Sequence, residues 1–186
     1  MTAPTLVGER VVLRALRDDD AEARRSHGLV ADLERGYGAE VVDGPMSEAD
    51  AQAWLAYLRT KPDDTLWTIE VGGRAVGVTF LHQIDDTDLR ARFAIGFHDP
   101  SVVGHGLGRE AALMVLDHAF DTLGLHKVDL LVLEFNTRAI ASYESCGFVL
   151  DGRLRDNCRL GDGWHDDLVM SVLAHEHQAR RGGSTA

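Results

Sequence analysis

Three glycines set two apart, Gly104-His105-Gly106-Leu107-Gly108, stand between a segment that reads as strand and one that reads as helix. The strand is Arg90–Phe97 (RARFAIGF), in which Phe93, Ile95 and Phe97 alternate onto one face. The helix runs to about Leu123, with Ala112, Leu113, Leu116, Ala119, Phe120 and Leu123 at helical spacing, and Gly124 marks its end. Glycines at such a junction let backbone approach a ligand closely. The unpaired N–H groups of the helix's first turn then form an anion site that favours phosphate. Arg109 adds positive charge at the same junction.

Two familiar phosphate motifs fit poorly. A dinucleotide loop needs GxGxxG, yet from Gly104 the chain reads G-H-G-L-G-R, with Arg109 where the last glycine belongs. Glu134, at the end of the following strand, is the feature that favours that reading. A nucleoside-triphosphate loop needs a Lys followed by a hydroxyl residue, and neither stands here. The loop by itself therefore points to a ligand containing pyrophosphate.

The rest of the chain gives this junction a frame. Glu9–Leu16 reads as a first strand, and Asp18-Asp19-Asp20 opens a helix towards Ser26. Gly28 to Pro45 holds four glycines and reads as loops with short helical pieces. Ser47 is the N-cap of a second helix with Ala51, Trp54, Leu55 and Leu58 as its apolar stripe, ending at Lys61-Pro62-Asp63-Asp64. Both helices are expected to pack over the front of a sheet. Thr65–Val71 and Arg74–Ile84 form a hairpin about Gly72-Gly73, and Asp85–Asp88 turns the chain into the Arg90–Phe97 strand. Beyond the glycine loop, Lys127–Glu134 has the dense apolar run of a strand buried on both faces. A helix starts at Asn136 and stops at Gly147, and Phe148–Arg155 and Asp166–Leu173 are closing strands. Antiparallel early and parallel late, this is an α+β or mixed α/β arrangement.

Composition bounds the partners. The chain has 186 residues, 45% hydrophobic, with a net charge of −11, which suits one domain with a full core. The acidic balance counts against a nucleic-acid binder and is compatible with a cationic substrate. No apolar run approaches a membrane span, and the N-terminal residues lack a basic region followed by an apolar one, so the expected location is the cytoplasm. Cys146 and Cys158 make no disulfide framework. His175-Glu176-His177 lies in a polar tail where a native metal site is not expected, so none is assigned.

Asn136 to Phe148 reads N-T-R-A-I-A-S-Y-E-S-C-G-F. Together with Val103–Ala111 (V-G-H-G-L-G-R-E-A) it strongly resembles the GNAT superfamily of acyl-CoA-dependent N-acetyltransferases. Gly106 and Gly108 match the family's [Q/R]-x-x-G-x-[G/A], with Val103 in place of the usual Gln or Arg. Asn136, Ala139, Tyr143, Gly147 and Phe148 match N-x-x-A-x-x-x-Y-x-x-x-G-F. The resemblance spans about Leu6 to Leu173 and is greatest to the branch of ribosomal-protein N-terminal and spermidine acetyltransferases. It implies a single domain over residues 1–175, with 176–186 a flexible polar tail. The mixed sheet would have about six to seven strands, a splayed parallel pair at the cofactor cleft, and about four flanking helices.

The same resemblance implies acetyl-CoA as co-substrate and places it in this sequence. Backbone groups of Ile95, Gly96 and Phe97 would hold the thioester and pantetheine arm. Val103, Gly104, His105, Gly106, Leu107, Gly108 and Arg109 would wrap the pyrophosphate, and Asn136 and Arg138 would contact the arm and nucleotide. Tyr143 would be the general acid for the departing thiolate. The general base stays open between His82, His98 and the Asp85, Asp86 and Asp88 cluster. Trp164, His165, Asp166 and Asp167 could line the acceptor mouth. The acceptor is a small-molecule or peptide amine: a protein N-terminus, a polyamine, or an amino-bearing metabolite or antibiotic. The resemblance alone suggests a homodimer. A catalytically silent acyl-CoA-binding module on the same fold is the competing function.

Overall fold

The computed structural model describes residues 3–60 and 65–182. Eight strands form one sheet in the order β1-β2-β3-β4-β5-β6-β8-β7. They are β1 (Leu6–Val7), β2 (Val11–Arg14), β3 (Thr65–Val71), β4 (Arg74–Asp85), β5 (Arg90–Phe97), β6 (Lys127–Leu133), β7 (Val149–Leu160) and β8 (Gly163–Leu173). Among the described residues six α-helices accompany them: α1 (Asp20–His27), α2 (Ala31–Arg35), α3 (Glu48–Arg59), α4 (Leu107–Asp117), which continues as a π-helical turn over His118–Thr122, α5 (Thr137–Cys146) and α6 (Ala174–Gly182). Every strand pair is antiparallel except β5 with β6.

The meander from β3 to β5 falls where the alternation predicts. Gly72 and Gly73 both have positive φ, 56° and 79°, as a two-residue hairpin turn requires. Ser47 caps α3 by accepting from the Asp50 N–H, and Asn136 caps α5 by accepting from the Ala139 N–H. Gly147 ends α5 at φ 104°, a conformation costly for any side chain. The expected stop of α3 at residues 61–64 lies outside the described residues.

Adjacent strand residues point to opposite faces, and two neighbours show which helices cover which. A Cβ on Gly108 of α4 would stand 3.2 Å from Phe97, whereas the His98 ring meets Trp54 of α3 at 5.5 Å. Helices α4 and α5 thus cover one face, and α1 and α3 cover the front. Under α4 lies the main core, with Val11, Leu13, Trp67, Val115, Leu116, Val128 and Leu130 almost wholly removed from water. At about 25 cal/mol per Å² of apolar surface, such side chains contribute the bulk of the driving force.

Three expectations need correction. The strand and helix counts were low, because β1 has only two residues and α2 only five, too few for a periodic pattern to register. The closing strands are longer than read: β7 and β8 extend to a tight hairpin at Leu160–Gly163, carried over a bulge at Asp156, φ 51°. Of the polar segment expected to be a flexible tail, residues 176–182 belong to α6, and residues 183–186 lie outside the described residues. His177 is buried there, bonded to Asp117 at 2.7 Å and packed on Phe120. A long-range contact orders a helix whose own sequence is almost wholly polar.

One buried ion pair ties α1 to the sheet. Arg14 Nη2 and Asp20 Oδ1 lie 2.8 Å apart, and Thr68 and the Arg17 N–H also donate to Asp20. Burial pushes the Asp20 carboxyl up, but these hydrogen bonds outweigh it and hold the group below the usual range. Asp20→Ala leaves the buried Arg14 with Glu70 alone, bonded at 2.7 Å, to balance it, and the loss of these charged hydrogen bonds is expected to cost about 1.5–3 kcal/mol in a denaturant titration.

Candidate active site

Strands β5 and β6 pair over three residues only: Arg90 with Lys127, Ala91 with Val128 and Arg92 with Asp129. A side-chain bond from Arg92 Nε to Asp129 Oδ1, 2.5 Å, closes the last of these pairs. Beyond it the strands part. The gap opens into a cleft of about 840 Å³ that runs from the glycine loop past Tyr143 to the underside of α2 and α3.

Strand geometry decides which backbone groups face this gap. The His98 N–H donates to Val76 O, and Ala94 O accepts from the Thr79 hydroxyl, so both residues turn towards β4. Alternate residues share a direction. Gly96 therefore also turns to β4, while Ile95 and Phe97 turn to the gap. Ile95, Gly96 and Phe97 all line the cleft, but the Gly96 N–H and C=O face β4 and not the gap. The missing side chain of Gly96 instead lets the Tyr37 ring lie close, since a Cβ would stand 3.5 Å from Tyr37 Cζ.

Tyr37 is the residue the sequence reading missed. Its hydroxyl accepts the Phe97 N–H at 2.9 Å, so that donor is engaged rather than free. The loop carrying it is held at several points. Asn136 Nδ2 donates to Gly36 O at 3.3 Å, and Arg35 bonds Asp162 at 2.5 Å while lying over the Phe135 ring. An aromatic between two glycines, Gly36-Tyr37-Gly38, was the available signal.

At the glycine loop, Gly104 and Gly106 have φ of 85° and 79°, and Gly106 is the N-cap of α4. The first bond of α4 runs from the Glu110 N–H to Gly106 O, so the N–H groups of Leu107, Gly108 and Arg109 precede it. The loop is clipped to β2. Glu110 accepts the N–H groups of Arg10 and Val11, and Arg10 donates to both Glu110 and His105 O. Val103, Gly104, Gly106, Gly108, Arg109, Arg138 and Asn136 all line the cleft. His105 and Leu107 do not line it with their side chains: His105 is exposed, and Leu107 is buried in the main core. The Val103 N–H is taken by Pro100 O, and both ends of the Asn136 amide are taken by Gly36 and Ala139.

Tyr143 lines the cleft with its ring edge-on to Phe93 and Phe148, at 6.2 and 5.8 Å. Burial holds its phenol well above the ordinary tyrosine range, so it stays protonated at neutral pH. Its hydroxyl has no hydrogen-bond partner among the described residues. Cys146 lies beneath, buried, with its thiol pushed up by that burial, which makes it a packing group and not a nucleophile.

Of the candidates for a base, His98 lines the cleft and His82 does not. His98 is buried, and that burial, with Arg24 and His27 nearby, pushes it down to about 3. Asp85 serves its turn by accepting the Thr87 and Asp88 N–H groups. In the last hairpin, Trp164 is exposed, His165 bonds Asp162, and Asp166 bonds Arg153; only Asp167 of that group reaches the cleft. Among the described residues no cluster could hold a metal ion, and no helix is long and apolar enough to cross a membrane.

Residues 10–149 match the acetyltransferase (GNAT) domain, which is most of the chain. The chain belongs to that family. Its relatives include the spermidine N(1)-acetyltransferase of Escherichia coli (strain K12), 29% identical over 113 residues, which are 61% of this chain and 60% of that one. The match thus spans about three fifths of that relative. The SPbeta prophage-derived uncharacterized N-acetyltransferase YokL of Bacillus subtilis (strain 168) is 24% identical and covers 94% of this chain and 96% of its own. Among solved structures, spermidine N-acetyltransferase from Vibrio cholerae in complex with CoA and spermine superposes with a TM-score of 0.77. That alignment covers 92% of this chain and 99% of that one at 23% identity, a likeness of fold.

The neutral His98 makes stability depend on pH. Its folded value lies below its unfolded one, so the unfolded chain binds the extra proton. Stability is full above about 6.5 and falls as pH drops towards about 3. Replacing it, His98→Gln, is expected to remove a dependence of about 1.4 kcal/mol per pH unit in that window, read as the difference between wild-type and variant melting curves.

Proposed function

We propose that the protein is an acetyl-CoA-dependent N-acetyltransferase that moves an acetyl group directly to a primary amine. One observation carries this reading. The parting of β5 and β6 exposes a strand edge that leads from the N-terminus of α4 to the Tyr143 hydroxyl, inside one cleft. That is the layout needed to hold a long ligand with an anionic end and a reactive end.

In this reading the N–H groups of Leu107, Gly108 and Arg109 receive the pyrophosphate oxygens, and the Arg109 and Arg138 guanidinium groups balance the charge. Arg138 is exposed and only loosely paired with Asp32, at 3.7 Å, so it is available. The N–H and C=O of Ile95 bond the amides of the pantetheine arm as a neighbouring strand would. The Phe97 N–H joins them once Tyr37 gives it up. Val103 and Gly104 contribute the wall and the close backbone approach. Asn136 acts by holding α5 and the Gly36 loop in place.

The amine nitrogen attacks the acetyl carbonyl carbon, the carbon–sulfur bond breaks, and the departing sulfur takes its proton from the Tyr143 hydroxyl; the proton that the new amide nitrogen loses returns to the phenolate by way of water. The protein supplies alignment and oriented dipoles along the cleft. His98 is too weak a base to take the ammonium proton near neutral pH. A silent acyl-CoA-binding module would bind acetyl-CoA and release no thiol with any amine; a protonated Tyr143 lining the cleft favours the enzyme reading.

Tyr143→Phe is expected to lower kcat by about 10²-fold or more with little change in acetyl-CoA affinity. Unchanged turnover in a thiol-release assay would remove Tyr143 from the reaction. Tyr37→Phe deletes the group that competes for the Phe97 N–H. It is expected to tighten acetyl-CoA binding by about 0.5–1.5 kcal/mol in calorimetry; weaker binding would show that the phenol assists the cofactor.

A further inference from the structure

On the front of the sheet the cleft ends in a chamber with an uneven chemistry. Its floor is Val78 and Phe80 of β4, and its roof is Leu33, Trp54 and Leu58 from α2 and α3. Among the described residues that line this end, Arg24 and Glu34 carry formal charge, and they are bonded to each other at 2.5 Å. Arg24 also donates to Gly28 O, and His98 beside it is uncharged. The pair is neutral, so the Glu34 carboxylate is not available to a second cation.

The cleft's other carboxylate is Asp167. It accepts from the Asn157 amide at 2.7 Å and has no cationic partner among the described residues. The chain's other described carboxylates lie outside the cleft, some of them in ion pairs such as Asp18 with Arg59 and Glu22 with Arg25. One unpaired carboxylate and an apolar, partly aromatic chamber can satisfy one ammonium and one apolar group. They cannot satisfy a row of ammonium groups, each of which would lose its water without a counter-charge.

We infer that the acceptor is a monoamine whose amino group sits on an apolar body about the size of an aromatic ring, and that polyamines are poor acceptors. The inference rests on the acetyl-transfer reading above and adds the substrate class. Asp167 receives the incoming ammonium, while Trp54, Phe80 and Leu33 bury the apolar body. A free arylalkylamine and a peptide with an apolar first residue present the same chemistry at this depth. They differ in whether chain continues out of the mouth.

The full-length protein is assayed for thiol release from acetyl-CoA with four acceptors: phenethylamine, a peptide beginning with phenylalanine, spermidine and spermine. One of the first two is expected to exceed both polyamines in kcat/KM by about tenfold or more, the scale on which a buried apolar group discriminates. Which of the two is better distinguishes a free amine from a chain terminus. Trp54→Ala and the milder Phe80→Leu are expected to raise KM for the better acceptor several-fold, with calorimetric affinity for CoA unmoved as the check on folding. Asp167→Asn is expected to raise the same KM. Equal or better use of spermidine overturns the inference and leaves acetyl transfer standing. Thiol release with none of the four, while acetyl-CoA binds, overturns both.

Discussion

The structure depends on where two parallel strands stop pairing. Three residue pairs join β5 to β6, and the Arg92–Asp129 bond closes the last of them. A sheet that continued to pair would bury its own hydrogen-bonding groups and leave no edge. By parting, it leaves the N–H and C=O groups of Ile95 and Phe97 directed into a cleft, the kind of unpaired edge that an extended ligand can complete. Tyr37 already does so in miniature, its hydroxyl accepting from Phe97. The glycine loop, Tyr143 and the front chamber all open onto this one gap.

Charge is distributed with the same economy. A chain of net charge −11 holds its candidate anion site on backbone N–H groups at the start of α4, where the helix dipole and two arginines act locally. The excess of acid suggested a cleft shaped for cations. Yet of the described carboxylates only Glu34 and Asp167 reach the cleft, and many of the others pair with arginines on the exterior. Screening by water makes the exterior pairs weak contributors to stability, unlike the buried Arg14–Asp20 pair.

Much of the fold was legible because its signals are local. The alternation in Arg90–Phe97, the caps at Ser47 and Asn136, and the stops at Gly124 and Gly147 act within a few residues, and each falls where it was read. The resemblance pointed to the start of α4 and to Tyr143, both of which line the cleft. Single groups were less legible. The Gly96 amide turns to β4, Tyr37 takes the Phe97 N–H, and both ends of the Asn136 amide are engaged by the protein. These depend on strand direction and helix phase, which a motif does not carry.

What the sequence alone determined was the order of elements, the glycines that permit a positive φ beside α4, and the spacing that sets Asn136 and Tyr143 on one helix. Each follows from backbone sterics or from the helical and strand periods, which operate over one or two turns. Only the tertiary structure decided that Tyr37 caps Phe97, that α6 is anchored through His177 to Asp117, and that Glu110 clips the glycine loop to β2. Those partners lie 60 to 100 residues apart in the chain. Whether a polar group there is paired, buried or left facing a ligand is settled by which surfaces meet when the core forms, and no local pattern encodes that meeting.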